Sequence, residues 1–395
     1  MPSDQVDLEE YRRLEAALYA VKRHLERARS LEDCRAGLAA EGLTEDAIKS
    51  IVKPPVDADL HLHSNYSDGN LPPRKLVWLA RLMGLKAIAL TDHDHMGGIA
   101  EAAHAGERLG VTVLAGLEFN TGRSGCELLC YFPNTAAFLS FLASSLSEPL
   151  RRYLKAIQDR IHGQTLAIIP SVNSFLRQQG VAERDSVTVA ELADWFSGQE
   201  PFYPGTVAVL GLKRLTPERR KQLCIFDPRE FNTRVCTPAL KALPRTESGS
   251  EPSLDAVFGH IAEIRWAGVR CVSALAHPRE LETKGRMRRE DVRPFVQELV
   301  KRYGLDGLEV NNSRDSAEDT AHWLRMADEL DAATNRRLVR FSFSSDFHVL
   351  APGTATGEIT MAYGVLDERP GHRRGNLRPC TTLTGLLAAI SAAAH

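Results

Sequence analysis

The sequence predicts an α/β protein: an irregular seven-stranded (β/α)7 barrel with a helical extension at its N-terminus and a helical insertion. Seven short apolar runs recur along the chain, and most of them are separated by segments with helical periodicity. Several runs end in histidine, aspartate or glutamate, and a barrel collects such strand ends at one rim. An open doubly wound sheet is the alternative, but the Gly-rich phosphate loop typical of that fold is missing.

The chain opens with a predicted amphipathic helix at 8–28. Leu14, Leu18 and Val21 recur at helical spacing among Glu, Arg and Lys residues. Their apolar face packs either on the outside of the barrel or against a partner chain, so the sequence leaves the oligomeric state open. A Pro-Pro pair at 54–55 separates this extension, residues 1–53, from the first strand.

The first strand contains two histidines on one face. Because side chains at i and i+2 of a strand point the same way, His61 and His63 can offer two imidazoles to one cation while Leu60 and Leu62 face the core. Asp68 follows in a Ser-Asp-Gly turn. The segment therefore indicates part of a metal site, although a pair of strand histidines also occurs in proteins that bind nothing there.

The later runs repeat this arrangement. The predicted strands cover 57–63, 86–90, 111–117, 128–132, 271–276, 307–308 and 339–345, and the helices cover 75–82, 98–109, 255–267, 292–303 and 317–330. The groups that follow the later strands are His93, Glu118, His277, Glu309, Asp346 and His348, and Glu127 precedes the fourth strand. Imidazoles and carboxylates are both metal ligands, so these residues extend the candidate metal site that the first strand indicates.

Taken together, these motifs resemble the PHP (polymerase and histidinol phosphatase) superfamily. They are Asp-Leu-His-Leu-His-Ser at 59–64 with Ser-Asp-Gly at 67–69, Thr-Asp-His-Asp at 91–94, Gly-Leu-Glu at 116–118, Ala-His-Pro at 276–278 and Ser-Asp-Phe-His at 345–348. The resemblance covers about 57–135 and 253–350. It implies a distorted seven-stranded barrel that holds two or three divalent ions, Mn, Zn or Fe, and hydrolyses phosphoesters.

The resemblance also implies how the ligands are shared. One ion would be bound by His61, His63, Glu118 and Asp346, and another by Asp68, His93 and His348. Glu118 would bridge to an ion bound by His277. The family usually has a histidine where this chain has Glu127, so Glu127 is either a ligand of a third ion or a solvated strand residue beside a site that takes no ion.

Two carboxylates beside a predicted ligand are candidate catalytic residues. Asp92 and Asp94 flank His93. A metal-bound histidine usually donates its second N–H to a carboxylate or a carbonyl, so either residue could orient the imidazole or take part in proton transfer.

A phosphate substrate also needs cationic or polar partners. Arg279 and Arg314 follow the fifth and sixth strands and could bind a phosphate bidentately, Arg279 being a candidate catalytic residue as well. Glu309 and Asn311 could contact the substrate or serve as helix caps. The basic run at 284–289 is either a solvated helix start or a lid that attracts an anionic substrate.

The predicted barrel comprises residues 54–135 and 253–395, and residues 136–252 form the insertion. An insertion after a barrel strand emerges on the rim, so we expect a cap that influences substrate choice; a structural elaboration or an oligomer contact is the alternative. The Pro-, Gly- and Arg-rich tail at 367–378 predicts a loop before a last helix at 384–393.

Composition is typical of a globular protein. The 395 residues carry a formal net charge of −2, so no overall positive field attracts nucleic acid. Seven cysteines without a disulfide framework indicate a reducing compartment. With no apolar run long enough to cross a membrane and an opening Met-Pro-Ser-Asp-Gln unlike a secretion signal, we expect no membrane partner and a cytoplasmic protein.

Three functions fit these observations. The first is metal-dependent hydrolysis of a small phosphomonoester, a nucleotide or a metabolite phosphate. The second is a nuclease or phosphodiesterase with a short nucleic acid as partner, which needs a basic groove and aromatic residues such as Trp195, Phe202 or Tyr203 for base stacking. The third is an inactive barrel used as a binding or regulatory module. Clustered histidines and carboxylates are costly to keep without a ligand, which argues against the third.

Overall fold

The fold is organised around one seven-stranded sheet whose strands lie in chain order. The computed structural model describes residues 8–196, 198–226, 228–243, 252–348, 359–361, 364–365 and 377–394. The strands of the sheet are β1 (Ala58–Leu62), β2 (Ala87–Leu90), β3 (Thr112–Asn120), β4 (Glu127–Phe132), β5 (Val272–Leu275), β6 (Gly307–Glu309) and β7 (Val339–Phe341). A separate pair of strands is formed by β8 (Ile359–Thr360) and β9 (Gly364–Val365).

The sheet curls until the chain after β7 meets β1. Leu62 and Phe347 form a parallel bridge, the His63 N–H donates to the Phe347 carbonyl at 2.9 Å, and the Leu60 N–H donates to the Phe343 carbonyl at 2.5 Å. The predicted irregular seven-stranded α/β architecture is therefore confirmed, and the open doubly wound alternative is wrong.

Strands that alternate with helices favour a parallel sheet, but β4 departs from that arrangement. This strand pairs antiparallel with both β3 and β5, whereas the other neighbouring strands are parallel. The connection between Asn120 and Glu127 is too short for the crossover that a parallel strand needs. Because β4 runs in reverse, its first residue, Glu127, lies opposite Asn120 at the rim where the parallel strands end.

The N-terminal extension packs on the barrel. Leu18, Val21 and Leu38 are buried in the same hydrophobic cluster as the strand residues. The apolar face of the first helix therefore packs on the outside of the barrel, which is one of the two predicted arrangements. Ser30 and Thr44 cap the second and third helices. The extension consists of α1 (Leu8–Arg27), α2 (Leu31–Ala40) and α3 (Glu45–Val52).

The helices between strands cover the outside of the sheet. The first two end at Gly84 and Gly110, whose φ angles of +81° and +67° suit the left-handed C-cap of a helix. They are α4 (Pro73–Met83) and α5 (Ile99–Leu109).

The segment between β4 and β5 has a hydrophobic core of its own. Its buried side chains run from Ile168 to Cys236, whereas Phe138 and Leu154 belong to the barrel cluster. One long helix, Glu148–Gln178, therefore contributes its first part to the barrel core and its second part to the insertion core. The predicted limits of 136–252 for the insertion remain a prediction. Its helices are α6 (Thr135–Leu142), α7 (Glu148–Gln178), α8 (Val189–Trp195), α9 (Pro204–Arg214), α10 (Pro217–Leu223), α11 (Pro228–Phe231) and α12 (Thr237–Ala242).

The second half of the barrel resumes the alternation of strands and helices. The predicted helix at 292–303 is observed as a helix at Arg289–Glu298 followed by a π-helical turn, Leu299–Tyr303. Most of the predicted tail loop, 367–376, lies outside the described residues. No helix in the described part of the chain is both long and apolar enough to cross a membrane. The remaining helices are α13 (Leu254–Trp266), α14 (Arg279–Thr283), α15 (Arg289–Glu298), α16 (Ala317–Thr334) and α17 (Leu383–Ala393).

Candidate metal centre

Histidines and carboxylates from both halves of the chain converge at the rim of the barrel. His61 lies on β1 and His63 directly after it, and neither side chain is exposed to solvent. Their ring centroids are 5.1 Å apart. The alternation of a strand places both rings inside the barrel, as their spacing predicts.

A first donor group surrounds Asp68. His348 Nε2 lies 3.2 Å from Asp68 Oδ1, His63 Nδ1 lies 3.7 Å from the same oxygen, and His93 Nε2 lies 3.8 Å from Asp68 Oδ2. The ligand atoms of these four residues all lie within 4.8 Å of one another, close enough to hold one ion.

A second donor group surrounds Glu118. His61 Nε2 is 3.1 Å from Glu118 Oε2, His277 Nε2 is 3.0 Å from Glu118 Oε1, and Asp346 Oδ1 is 3.4 Å from His61 Nε2. These four side chains are buried. His277 and Asp346 have φ angles of +25° and +57°, an uncommon conformation for residues other than glycine that occurs where a site dictates the backbone.

His63 faces both groups: its Nδ1 lies near Asp68, while its Nε2 is 3.1 Å from Asp346 Oδ1, so the ligand set that the resemblance implied, His61, His63, Glu118 and Asp346, also converges. His61 stacks beside His277 and His63 beside His348, with centroid distances of 5.6 and 4.2 Å. Glu118 links the two groups as well, since its Oε2 is 3.2 Å from His63 Nε2.

A third donor group lies next to the second. It consists of Glu127, His277 and Glu280, whose ligand atoms lie within 4.8 Å of one another. Glu280 was not predicted from the sequence. Its signal was its place three residues after His277, a spacing that brings two side chains together at the start of a helix.

The electrostatics of the centre favour cations. Burial opposes protonation of His63, yet the carboxylates of Asp346 and Glu118 raise its pKa to about 10. Burial also opposes ionisation of Glu118, but His61 and His93 hold its pKa well below its ordinary value. The buried carboxylates thus favour the protonated, positively charged form of the imidazoles. A divalent cation bound by the same nitrogen and oxygen atoms would neutralise the carboxylates instead, so the residues of the first two groups fit such an ion.

Two predicted site residues lie beneath the donor groups and are almost completely buried. Glu309 Oε1 is 2.9 Å from His61 Nδ1, and Glu309 Oε2 accepts from the His277 N–H at 2.7 Å. Asp92 accepts three hydrogen bonds, from the Ser64 N–H at 2.6 Å and from the Ser64 and Ser67 hydroxyls at 2.7 Å each. These contacts suit residues that hold the ligands in place.

The remaining predicted residues occupy different surroundings. Asp94 is buried and accepts from the Asn120 N–H at 3.1 Å, and burial raises its pKa to about 7. Asn311 donates to Thr320 Oγ1 at 2.9 Å and accepts from the Arg378 N–H at 2.5 Å, so its amide faces away from the donor groups.

The two predicted arginines point in opposite directions. Arg314 contacts Asp346, and its Nε lies 2.7 Å from Glu280 Oε1, at the centre. Arg279 contacts the Arg314 carbonyl and lies 3.0 Å from Asp319 Oδ2, away from the donor groups. The geometry therefore offers Arg314 to a phosphate more directly than Arg279.

Among the described residues, three hydrogen bonds join the insertion to the rim. Tyr203 Oη donates to the His93 carbonyl at 3.0 Å, Gln158 Nε2 donates to the Asp94 carbonyl at 2.6 Å, and the amide of Asn65 donates to the Phe196 carbonyl at 3.0 Å. Tyr203 and Phe202 are 6% and 4% exposed. Both are packed in the insertion core, so they do not form the stacking surface considered for an oligonucleotide.

Comparisons with known proteins agree with this geometry. Residues 59–170 match the family model of the PHP domain. A 5′-3′ exoribonuclease of Haemophilus influenzae is 24% identical over 290 residues, which span 73% of this chain and 89% of that protein. A 3′,5′-nucleoside bisphosphate phosphatase of Chromobacterium violaceum is 48% identical over 60 residues, 15% of this chain and 21% of that protein.

Two solved structures share the fold. An inferred metal-dependent phosphoesterase of Bifidobacterium adolescentis superposes with a TM-score of 0.51 at 20% identity, covering 84% of this chain and 99% of that chain. An amidohydrolase of Chromobacterium violaceum gives a TM-score of 0.53 at 23% identity, covering 86% of this chain and 98% of that chain. At these identities the likeness establishes the fold.

Proposed function

We propose that this chain, which carries a PHP domain over residues 59–170, is a metal-dependent phosphoesterase that hydrolyses the terminal phosphomonoester of a small nucleotide. The resemblance predicted from the motifs is confirmed by the family model. The observation that carries the proposal is the pair of adjacent four-residue donor groups linked by Glu118 at the rim of the barrel.

The first two donor groups are the proposed metal sites, and Mn, Zn or Fe are the proposed ions. When bound, divalent ions lower the pKa of a coordinated water and neutralise charge on a phosphate. Glu118 lies between the groups, so its two oxygens serve both. Asp68 belongs to the first group and Asp346 to the second.

Residues beneath the ligands keep them in position. Glu309 holds His61 through Nδ1, which leaves Nε2 directed at the centre. Asp92 fixes the turn after β1 through Ser64 and Ser67. We therefore assign both residues a positioning role, in place of the substrate contact and the catalytic role first considered for them.

Two groups at the rim are proposed to act on the substrate. Arg314 faces the centre and can bind phosphate oxygens, since a guanidinium matches their geometry. Asp94 is the candidate to donate a proton to the leaving oxygen, because it follows His93 and burial raises its pKa to about 7. Arg279 is the weaker candidate, since it contacts Asp319.

The position of the insertion favours a small substrate. Its contacts with the carbonyls of His93 and Asp94 place it beside the first donor group, where we propose that it acts as a cap. A cap suits a compact ligand. Two of the relatives are named as an exoribonuclease and a nucleoside bisphosphate phosphatase, which supports a nucleotide over another metabolite. All seven cysteines are free, consistent with the proposed cytoplasmic location.

The test is phosphate release by Mn²⁺-loaded protein from a 3′,5′-nucleoside bisphosphate, a nucleoside monophosphate and a sugar phosphate. We expect inorganic phosphate from a nucleotide, and loss of the activity in a His61→Ala/His63→Ala variant. A variant of an exposed histidine on α5, His104→Ala, should keep the wild-type rate. No release from any compound in the panel would contradict the proposal.

A second candidate is 5′-to-3′ removal of nucleotides from short RNA. The match to the exoribonuclease favours it, because that match spans most of both chains. A 5′-phosphorylated RNA of about five nucleotides, incubated with the same loaded protein, separates the two functions. Mononucleotides and a shortened RNA, identified by mass, would indicate the exonuclease, whereas an intact RNA that has lost only its phosphate would indicate the phosphatase.

A further inference from the structure

The third donor group differs from the other two because cationic side chains already contact it. Lys284 Nζ contacts Glu280 and lies 3.9 Å from Glu127 Oε2. Arg314 Nε lies 2.7 Å from the other oxygen of Glu280. The two carboxylates therefore already lie beside two cationic side chains of the same chain, of which Arg314 also pairs with Asp346.

The imidazole of this group is shared. His277 Nε2 is 3.0 Å from Glu118 Oε1 in the second donor group, while His277 Nδ1 is 3.5 Å from Glu280 Oε2. A histidine that binds a metal through one nitrogen usually donates its other N–H to a carboxylate. Glu280 lies on the Nδ1 side of the ring, so it suits a residue that orients His277 better than a ligand of another ion.

The burial of Glu280, Glu127 and Lys284 agrees with a group that is neutralised by a lysine. Glu280 and Glu127 have side-chain exposures of 11% and 23%, whereas Lys284 is 48% exposed. Carboxylates that are largely withdrawn from water need a nearby cation. The lysine reaches them from the C-cap of α14, and a divalent ion at the same place would be repelled by Lys284 and Arg314.

We propose that Lys284 is the resident cation of the third donor group and that it limits the centre to two divalent ions. This inference rests on the proposed metal sites of the first two groups. It also accounts for Glu127: the carboxylate at this position is neutralised by a lysine of the same chain.

The test is the number of Mn²⁺ ions per chain, measured by inductively coupled plasma mass spectrometry after loading and removal of free metal. The wild type should retain about two ions and Lys284→Met about three, because methionine keeps the length of the side chain but removes its charge. Lys284→Arg should retain the wild-type number. Lys86→Met is the matched control, since Lys86 is 72% exposed and pairs with Asp57.

Any wild-type number other than two overturns the inference, whether or not the variants fold. An unchanged number in Lys284→Met, with a circular dichroism spectrum like that of the wild type, overturns it as well. Phosphate release is measured on the same samples. Two ions without phosphate release would remove the proposed function and leave the inference, whereas three ions with release would do the reverse.

Discussion

Glu309 shows how a single buried residue supports the centre. Its two oxygens hold the His61 ring and the His277 backbone, and none of its surface is exposed. Nothing in the sequence separated this role from a substrate contact, since both place a carboxylate at the end of a strand.

Replacing Glu309 by Gln should weaken metal binding about 10- to 100-fold, because an amide holds the imidazole less firmly than a carboxylate. The measurement is the Mn²⁺ concentration that gives half-maximal phosphate release. Glu298→Gln, at a side chain that is 61% exposed, is the control. An unchanged half-maximal concentration in Glu309→Gln would argue against the positioning role.

Asp315 contributes a pH dependence to stability. Burial raises its pKa from 3.8 to about 7 in the folded protein. Between these values the folded state holds a proton that the unfolded state has lost, so the free energy of unfolding should fall as the pH rises from about 4 to about 7. Asp315→Asn removes this titration.

Urea unfolding at several pH values should therefore give a flatter profile for Asp315→Asn, by about 1 kcal/mol or more across that window. Asp255→Asn, whose carboxylate is 70% exposed, should keep the wild-type profile. Parallel profiles for wild type and Asp315→Asn would show that this carboxyl group does not titrate on unfolding.

At the scale of secondary structure, the turn after β1 delivers Asp68 to the first donor group. The turn depends on Gly69: an added Cβ would lie 2.2 Å from the His63 carbonyl oxygen and 2.9 Å from the Ser64 carbonyl carbon. Backbone atoms cannot move aside as a flexible side chain would. The Ser-Asp-Gly motif thus has a steric explanation.

Gly69→Ala should cost about 1–3 kcal/mol of unfolding free energy and should also displace Asp68, which weakens metal binding. Thermal unfolding and Mn²⁺ titration measure the two effects. Gly259→Ala on α13, where no atom lies within 4 Å of an added Cβ, should be neutral or stabilising by about 0.4–1 kcal/mol. Equal stability of Gly69→Ala and wild type would show that the turn adapts.

The antiparallel direction of β4 is the main property of the secondary structure that the sequence patterns did not predict. Apolar runs give the positions of strands but not their orientation in the sheet. The short connection from β3 was the available signal, because it leaves no room for a crossover helix.

At the scale of the whole molecule, the donor groups join the two ends of the sheet. β1 supplies His61, and the segment after β7 supplies Asp346 and His348. An ion bound there therefore crosslinks segments that lie far apart in the chain, and it should stabilise the whole barrel.

Chelation should lower the unfolding temperature. An ion at about 100 times its Kd adds about 2.7 kcal/mol to the free energy of unfolding. Differential scanning calorimetry with Mn²⁺ and with EDTA measures this shift, and the His61→Ala/His63→Ala variant should not show it. A wild-type unfolding temperature that does not respond to Mn²⁺ would contradict metal binding at the rim.

The order of strands and helices and most residues of the centre could be predicted from local patterns: apolar runs, helical periodicity and short motifs such as Thr91 to Asp94. The sharing of ligands between donor groups, the antiparallel direction of β4 and the presence of Glu280 and Lys284 at the centre became visible in the folded chain alone. The reason is physical. Ligand sharing depends on distances of a few ångströms between atoms on different strands, and those distances are set by the curl of the sheet and the packing of the helices around it.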